Sequence, residues 1–311
     1  MSPVRPSAPQ PAWSRDSRAV RLDDVAGLDE IGPRWAWEGA TGEGVRVAII
    51  DSGIEADHPT LGDCVDVDGG AEVVLVGDEA EVRPGPHDDV YGHGTACAGI
   101  IHSMAPGASI ASIRVLNERL AGKSATFLAG LAWAIEQEFD VINLSLGTIK
   151  REYALAFHDL CDEAYFNGSF VVTAANNMRR VSYPSLYSSV ASVACNLSED
   201  PWRFHFNPEP PTEFLARGID VEVAWRDGET NAATGNSYAA PHLAGIAARI
   251  LSKHPELRPF QLKAVLYACA GNVQDAAHQM AGRVSRVIRS TRSTSAGRHS
   301  AMIPAPARRD V

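Results

Sequence analysis

Residues 235–245 of this chain read Gly-Asn-Ser-Tyr-Ala-Ala-Pro-His-Leu-Ala-Gly. Gly235 permits a close backbone approach, and the small, apolar residues after Ser237 predict a tightly packed helix. The Ser237 hydroxyl would therefore lie at a helix N-terminus, where unpaired N–H groups favour developing negative charge. A serine hydroxyl needs a neighbouring base before it becomes a nucleophile at neutral pH, so the base must come from elsewhere in the chain.

The composition indicates a globular protein with a large core. The chain has 311 residues, of which 45% are hydrophobic, and a formal net charge of −10. Its five cysteines are odd in number and widely spaced, which favours reduced thiols over a disulfide framework. Apolar runs are too short for a membrane span, and residues 1–20 contain no apolar block typical of a secretory signal. We therefore expect a cytoplasmic protein without a membrane span.

The charge is unevenly distributed along the chain. From Arg283 onward seven arginines stand against one acid, which leaves a net charge of −16 for residues 1–282. An acidic body of this kind does not favour nucleic-acid binding. Residues 1–21 predict a disordered extension, residues 22–272 one folded domain, and residues 273–311 a basic tail. The tail is either fully solvated or begins with a short helix, Val273 to Ile288, after an Asn272 cap.

Strand and helix patterns alternate through the folded domain. The apolar run Val45–Ile50 predicts a first buried strand, which ends in Asp51. Further strands are predicted at residues 72–76, 110–116, 141–146, 170–174, 190–194 and 218–224, and helices at 28–39, after His93, and at 124–137 and 153–166. This alternation predicts an α/β fold with a mostly parallel sheet and helices on both faces.

Two residues with acid–base chemistry lie beside glycines at predicted element ends. Asp51 follows the first strand, and His93 lies between Gly92 and Gly94. Open α/β sheets place their chemistry at the carboxyl ends of strands. Taken alone, each such residue is more often a turn residue. Together with Ser237 they form a candidate catalytic triad in the chain order Asp, His, Ser.

Five motifs in this order carry a family resemblance. They are Asp51-Ser52-Gly53, His93-Gly94-Thr95, residues 141–147 (Val-Ile-Asn-Leu-Ser-Leu-Gly), residues 174–177 (Ala-Ala-Asn-Asn) and residues 235–242. From about Leu22 to Gly271 the chain resembles the subtilisin family (subtilase, S8-type) of serine proteases. The resemblance implies a subtilisin-like three-layer fold and a serine endopeptidase. Asp51 would orient His93, His93 would deprotonate Ser237, and Asn177 would bind the oxyanion.

The resemblance also implies where a peptide or protein substrate binds. Two edge segments would pair with an extended substrate, one formed by Leu120, Ala121 and Gly122 and the other by Ser145, Leu146 and Gly147. The residue before the cut would enter a pocket walled by Ala174, Ala175 and Asn176. Asn176 and Tyr238 differ from the usual family residues at their positions, so we expect an intracellular protease of narrow specificity or a processing protease.

The sequence also bears on metal binding, on Cys97 and on functions other than hydrolysis. The proposed chemistry requires no cofactor and no metal. Between Gly99 and Ala105 the chain is several residues shorter than in secreted subtilisins, and the missing loop holds their tight calcium, so we expect no tight calcium there. Cys97, one helical turn after His93, is expected to be a buried thiol and not a nucleophile. A regulatory partner in the cytosol, a catalytically silent peptide-binding module, and a peptide ligase or macrocyclase acting through the same acyl-enzyme stay open.

Overall fold

Apolar runs rich in β-branched residues form the strands of one large sheet. A computed structural model describes residues 31–178, 180–277 and 279. Its strands are β1 (Arg46–Asp51), β2 (Ala71–Val76), β3 (Glu79–Pro84), β4 (Ser109–Arg114), β5 (Val141–Leu144), β6 (Phe170–Ala174), β7 (Ala191–Asn196), β8 (His205–Phe206), β9 (Phe214–Arg217), β10 (Val221–Trp225) and β11 (Glu229–Ala233). The helices are α1 (Pro33–Ala36), α2 (His93–Met104), α3 (Ser124–Glu136), α4 (Ala154–Asn167), α5 (Asn236–Lys253) and α6 (Pro259–Cys269).

The sheet is parallel through its centre and antiparallel at both edges. The strand order is β3-β2-β4-β1-β5-β6-β7-β9-β8. Neighbours from β2 to β9 pair in parallel, while β3 and β8 pair antiparallel with β2 and β9. Parallel pairing directs the carboxyl ends of β1, β5 and β6 to the same edge of the sheet. That edge is the one at which the sequence places its chemistry.

Strand alternation divides the core into two layers. Val47 and Ile49 of β1 pack in one apolar cluster with residues of α2, α5 and α6. Ala48 and Ile50 point to the opposite face and pack in a second cluster with residues of α3 and α4. Both faces of the sheet are thus covered by helices, and the predicted three-layer α/β fold is confirmed. No helix in the described part of the chain is long and apolar enough to cross a bilayer.

The strand predicted at residues 218–224 forms as β10 (Val221–Trp225), but its predicted place in the parallel sheet is wrong. Residues 218–224 were expected to continue the parallel sheet, but β9 takes that place and β10 pairs with β11 in a separate antiparallel hairpin. The alternating Val221 and Val223 pack against Ile100 of α2 and Tyr238 of α5. Val221 and Val223 are thus buried against helices and not inside the large sheet. A pattern of alternating apolar residues is the same in both cases, so it does not show which sheet a strand joins.

The C-terminal end of the described chain continues beyond α6. Residues 271–277 are helical, so this helix already begins before Asn272. Asn272 is therefore not the N-cap of a helix that starts at Val273. The Asn272 side chain instead accepts a hydrogen bond from the backbone N–H of Phe206 and donates one to its carbonyl oxygen, at 2.9 and 2.7 Å. The predicted extension at 1–21, and the rest of the predicted tail apart from residue 279, lie outside the described residues.

Candidate active site

Three elements bring the candidate triad to one edge of the sheet. Asp51 is the last residue of β1, His93 is the first residue of α2, and Ser237 is the second residue of α5. The helices α2 and α5 pack closely against each other on the same face of the sheet. The N-termini of α2 and α5 therefore lie near the carboxyl end of β1.

Asp51 and His93 form a buried hydrogen-bonded pair. His93 Nδ1 lies 2.9 Å from Asp51 Oδ1 and 2.8 Å from Oδ2, and the two residues are 5% and 1% exposed. Burial by itself would lower the pKa of His93, but the Asp51 carboxylate outweighs it and holds that pKa well above its ordinary value. Because Nδ1 donates its proton to Asp51, Nε2 is the nitrogen left to act as a base.

A proline in α5 fixes the backbone around Ser237. Pro241 has no N–H, so the Ser237 carbonyl four residues earlier lacks its usual helical partner. The Ser145 hydroxyl donates to that carbonyl at 3.0 Å, and the Cys97 thiol lies 3.7 Å from it. Among the described residues no hydrogen bond joins the Ser237 hydroxyl to His93. Catalytic hydrogen bonds of this kind often tighten when substrate binds.

The Asn177 amide is oriented by the residue before the serine. Its Oδ1 accepts a hydrogen bond from the Asn236 backbone N–H at 2.9 Å, so its Nδ2 is the end left for another partner. A Cβ placed on Gly235 would lie 3.3 Å from Ser237 Oγ and 3.7 Å from Asn177 Nδ2, so both groups border the same point. Asn236 also bonds Cys195 N and the carbonyls of Ala175 and Asn176, and its role was not predicted.

A small cavity collects most of the predicted substrate contacts. It has a volume of about 190 Å³ and opens beside Ser237. Its lining comprises Ser145, Leu146, Gly147, Ala174, Ala175, Asn176, Asn177, Ser182 and Ser237. Ser182 was not predicted. It comes next to Tyr183, whose backbone pairs with Thr148 just beyond Gly147, and such pairing leaves no local mark in the sequence.

The other predicted edge segment lies in different surroundings. Residues 117–121 form a turn in which the Asn117 N–H donates to the Ala121 carbonyl at 3.0 Å, and Leu120 has a positive φ of 52°. Ala121 and Gly122 border a second cavity of about 420 Å³, together with Leu116 and Thr126. The structure thus does not bring Leu120, Ala121 and Gly122 into the cavity beside Ser237.

Cys97 lies beneath the pair as expected. The residue is fully buried, and its Sγ lies 3.9 Å from His93 Nδ1 and 4.0 Å from Asp51 Oδ2. Burial raises the pKa of the Cys97 thiol, which keeps it protonated and a poor nucleophile. Within the described chain, Asp51, His93 and Cys97 are the three residues whose potential metal-ligand atoms cluster. The acid-rich residues 57–89 form no such cluster there.

A mostly parallel α/β sheet with a buried Asp–His pair, and a serine at the N-terminus of a neighbouring helix, is an arrangement typical of α/β serine hydrolases. The model of the subtilase family (peptidase S8) matches residues 42–285. Subtilisin E of Bacillus subtilis (strain 168) is 34% identical over 245 residues, which are 74% of this chain and 61% of that protein. Subtilisin DY of Bacillus licheniformis is 33% identical over 263 residues, 80% of this chain and 91% of that protein.

A solved structure is also similar to the fold described above. The crystal structure of a cold adapted subtilisin-like serine proteinase superimposes with a TM-score of 0.61 at 25% sequence identity, covering 78% of this chain and 90% of that one. The chain therefore belongs to the subtilase family. The match spans 61% of the length of subtilisin E.

Proposed function

We propose that this chain is a serine endopeptidase that hydrolyses peptide bonds through Asp51, His93 and Ser237. The observation that carries the proposal is the buried His93–Asp51 hydrogen bond, at 2.8–2.9 Å. It lies at the N-terminus of α2, which packs against α5, the helix whose second residue is Ser237. In a buried imidazole held by a carboxylate through Nδ1, Nε2 is the nitrogen left for proton transfer, which is the role of the histidine in a serine triad.

The proposed reaction follows from these positions. Ser237 Oγ attacks the scissile carbonyl and its proton passes to His93 Nε2, while Asp51 stabilises the imidazolium that forms. The oxyanion receives hydrogen bonds from Asn177 Nδ2 and the Ser237 backbone N–H. His93 then gives its proton to the leaving amine, and the acyl group stays on Ser237. Water attacks this acyl-enzyme while His93 takes up its proton, and His93 returns that proton to Ser237 Oγ as the acid is released. Removing the corresponding donor of subtilisin lowers kcat about 10²–10³-fold, and Asn177→Ala is expected to do the same.

The cavity beside Ser237 supports narrow specificity. Its volume is about 190 Å³, and Asn176 and Ser182 add polar groups to a lining without charged side chains. Tyr238, next to the serine, is largely buried against α2 and β10, and its ring centroid lies 5.2 Å from that of His93. A small or medium-sized neutral side chain is therefore the expected residue before the cut. Cleavage of a peptide library, read by mass spectrometry, tests this preference.

A fluorophosphonate probe tests the proposed activity. The wild type is expected to be labelled and Ser237→Ala unlabelled, with Ser188→Ala, an exposed serine, as the matched control that keeps labelling. Ser237→Ala and His93→Ala should each abolish most turnover, and the double variant should be little worse than either, because nucleophile and base act as a unit. Well-folded wild type without labelling would identify a peptide-binding module. Ligated products in place of free acids would identify a transpeptidase.

The compartment and the metal requirement belong to the same proposal. All five cysteines are free thiols, which supports an intracellular, reducing environment. A regulatory partner there would restrain the protease. The helix α2 continues without interruption to Met104, and four residues connect it to β4, which leaves little chain for a calcium-binding loop at that point. We accordingly propose that no tight calcium is bound there and that turnover requires no cofactor.

A further inference from the structure

A second buried carboxylate lies close to the Asp51–His93 pair. Asp89 is 8% exposed, and its two oxygens accept five hydrogen bonds. Oδ1 receives the hydroxyl of Ser52 at 2.8 Å and the backbone N–H groups of Tyr91 and Gly92 at 2.9 and 2.8 Å. Oδ2 receives the backbone N–H of Thr95 at 3.0 Å and its hydroxyl at 2.6 Å.

Asp89 is held by helix N–H groups and not by a cation. Within the described residues no lysine, arginine or histidine pairs with it. Gly92 is the N-cap of α2, and Thr95 lies in its first turn, so the carboxylate occupies the positive end of the helix dipole. Hydrogen bonds to a charged acceptor are stronger than neutral ones, which makes this carboxylate the anchor of the turn that carries His93.

Ser52 extends that anchor to the loop of the other triad member. Its hydroxyl donates a hydrogen bond to Asp89 and accepts one from the Gly94 backbone N–H at 3.0 Å. Ser52 therefore links Asp89, which precedes His93, to Gly94, which follows it. Its own backbone N–H donates to Asp51 Oδ1 at 2.8 Å. One chain of hydrogen bonds therefore runs from Asp51 through Ser52 and Asp89 to the first turn of α2.

The two loops also fit together without spare room. A Cβ on Gly94 would lie 1.9 Å from the Gly53 carbonyl oxygen, and a Cβ on Gly53 would lie 2.3 Å from the Asp88 carbonyl oxygen. The backbones are thus in direct contact on both sides of His93. Any movement of the turn from Asp89 to Thr95 changes the distance between His93 and Asp51.

We propose that Asp89 is a positioning residue for the triad, which acts through Ser52 and the first turn of α2 to hold His93 Nδ1 within hydrogen-bond distance of both Asp51 oxygens. The inference rests on the proposed function. The hydrogen bonds of Asp89 go to Ser52, Tyr91, Gly92 and Thr95 and not to His93 or Asp51, so its effect on turnover is indirect. Its loss leaves nucleophile and base present but imperfectly aligned.

Two variants remove different parts of this chain of bonds. In Asp89→Asn one oxygen becomes an NH₂ group, which faces either the Thr95 donors or the donors of Ser52, Tyr91 and Gly92. Ser52→Ala removes the bridge and leaves the other four bonds of Asp89 intact. Asp88→Asn is the matched control, because this neighbouring carboxylate is exposed and its removal changes the net charge equally.

The experiment measures kcat and KM per active site, counted by titration with an acylating reagent, as a function of pH. A misplacement near 1 Å costs about 10²-fold, so kcat is expected to fall about a hundredfold in Asp89→Asn and about tenfold in Ser52→Ala, with KM nearly unchanged. Because Asp51 raises the pKa of His93, a looser contact should also move the midpoint of the kcat profile to lower pH. Asp88→Asn should match the wild type.

Each outcome decides between positioning and simple support of the fold. A fall in kcat per titrated site with a shifted midpoint supports positioning. A lower thermal midpoint with unchanged kcat and unchanged pH profile overturns it. If Asp89→Asn does not fold, Ser52→Ala decides by the same two readouts, and wild-type values in that variant overturn the inference. An unlabelled, inactive wild type would instead refute the proposed function, which is measured separately.

Discussion

Acid should weaken this fold through His242, a buried imidazole in the middle of α5. His242 is 3% exposed, and its Nδ1 lies 2.8 Å from the Tyr238 carbonyl, so Nδ1 carries the donated proton. Burial lowers the pKa of His242 to about 4. In the unfolded chain His242 has a pKa near 6.5 and binds a proton below that pH, whereas in the folded chain it stays neutral down to about pH 4.

The magnitude follows from that difference. Where the unfolded state binds more protons, the free energy of unfolding falls as pH falls, here from about pH 6.5 to about pH 4. At about 1.4 kcal/mol per pKa unit, the contribution lost across this window is about 3 kcal/mol. His93 has the opposite sign, because its pKa in the folded state is raised. Its contribution is complete below about pH 6.5 and is lost as pH rises further, so the two histidines act in separate windows.

Urea unfolding at several pH values between 7 and 4 measures the effect, in a Ser237→Ala background that avoids self-digestion. His242→Gln should be less stable than its parent at pH 7, but its stability should fall by about 3 kcal/mol less on acidification. His87 and His102, whose pKa values burial also lowers, contribute equally to both proteins and cancel in the difference. His102→Gln is the control, which should keep the fall due to His242. Parallel curves for parent and His242→Gln would refute the reasoning.

Four further outcomes are expected. Activity on a small ester should rise with pH with a midpoint above 6.5, because Asp51 raises the pKa of His93; a midpoint at or below 6.5 contradicts this. Gly94→Ala should lower the free energy of unfolding, measured by urea denaturation, by at least about 2 kcal/mol, because its Cβ would lie 1.9 Å from a backbone oxygen. Gly32→Ala, whose Cβ would have no neighbour nearer than 3.9 Å, should leave that free energy unchanged. A chelator should leave the thermal midpoint nearly unchanged, and a large drop would reveal a calcium site. Deleting residues 290–311 should change neither turnover nor melting temperature; higher turnover at low salt alone would indicate that the tail occupies the cleft.

Local pattern predicted the elements whose burial is decided along the chain itself. The run Val45–Ile50 is apolar throughout because the strand is covered on both faces, and Asp51 marks its carboxyl end. The helix after Ser237 was recognisable from small residues that pack deep, and Asn167-Gly168 marked the end of α4, where Gly168 takes a positive φ of 102°. The three candidate triad residues followed from these element ends.

Contacts between distant segments could not be predicted in the same way. β8 has only two residues, and its pairing with β9 is what makes it a strand. The sequence of β10 has an ordinary strand pattern, which does not show that β10 pairs with β11 outside the large sheet. The helix α6 was not predicted, although Pro259 at its start and the apolar spacing of Leu262, Val265 and Leu266 signal it. The five bonds of Asp89 end mostly on backbone N–H groups, and any residue type could supply those donors.

The position of α5 in the chain has a consequence for protein synthesis. This buried helix contacts α2 and the strands β5, β6, β7 and β9, yet it follows all of them in sequence. Chains emerge from the ribosome N-terminus first, so most of the sheet is made before the helix that covers one of its faces. A nascent chain that ends before residue 236 carries His93 and Asp51 but lacks the proposed nucleophile. The proposed proteolytic activity therefore requires translation beyond Ser237, and a shorter product leaves exposed the apolar sheet face that α5 covers.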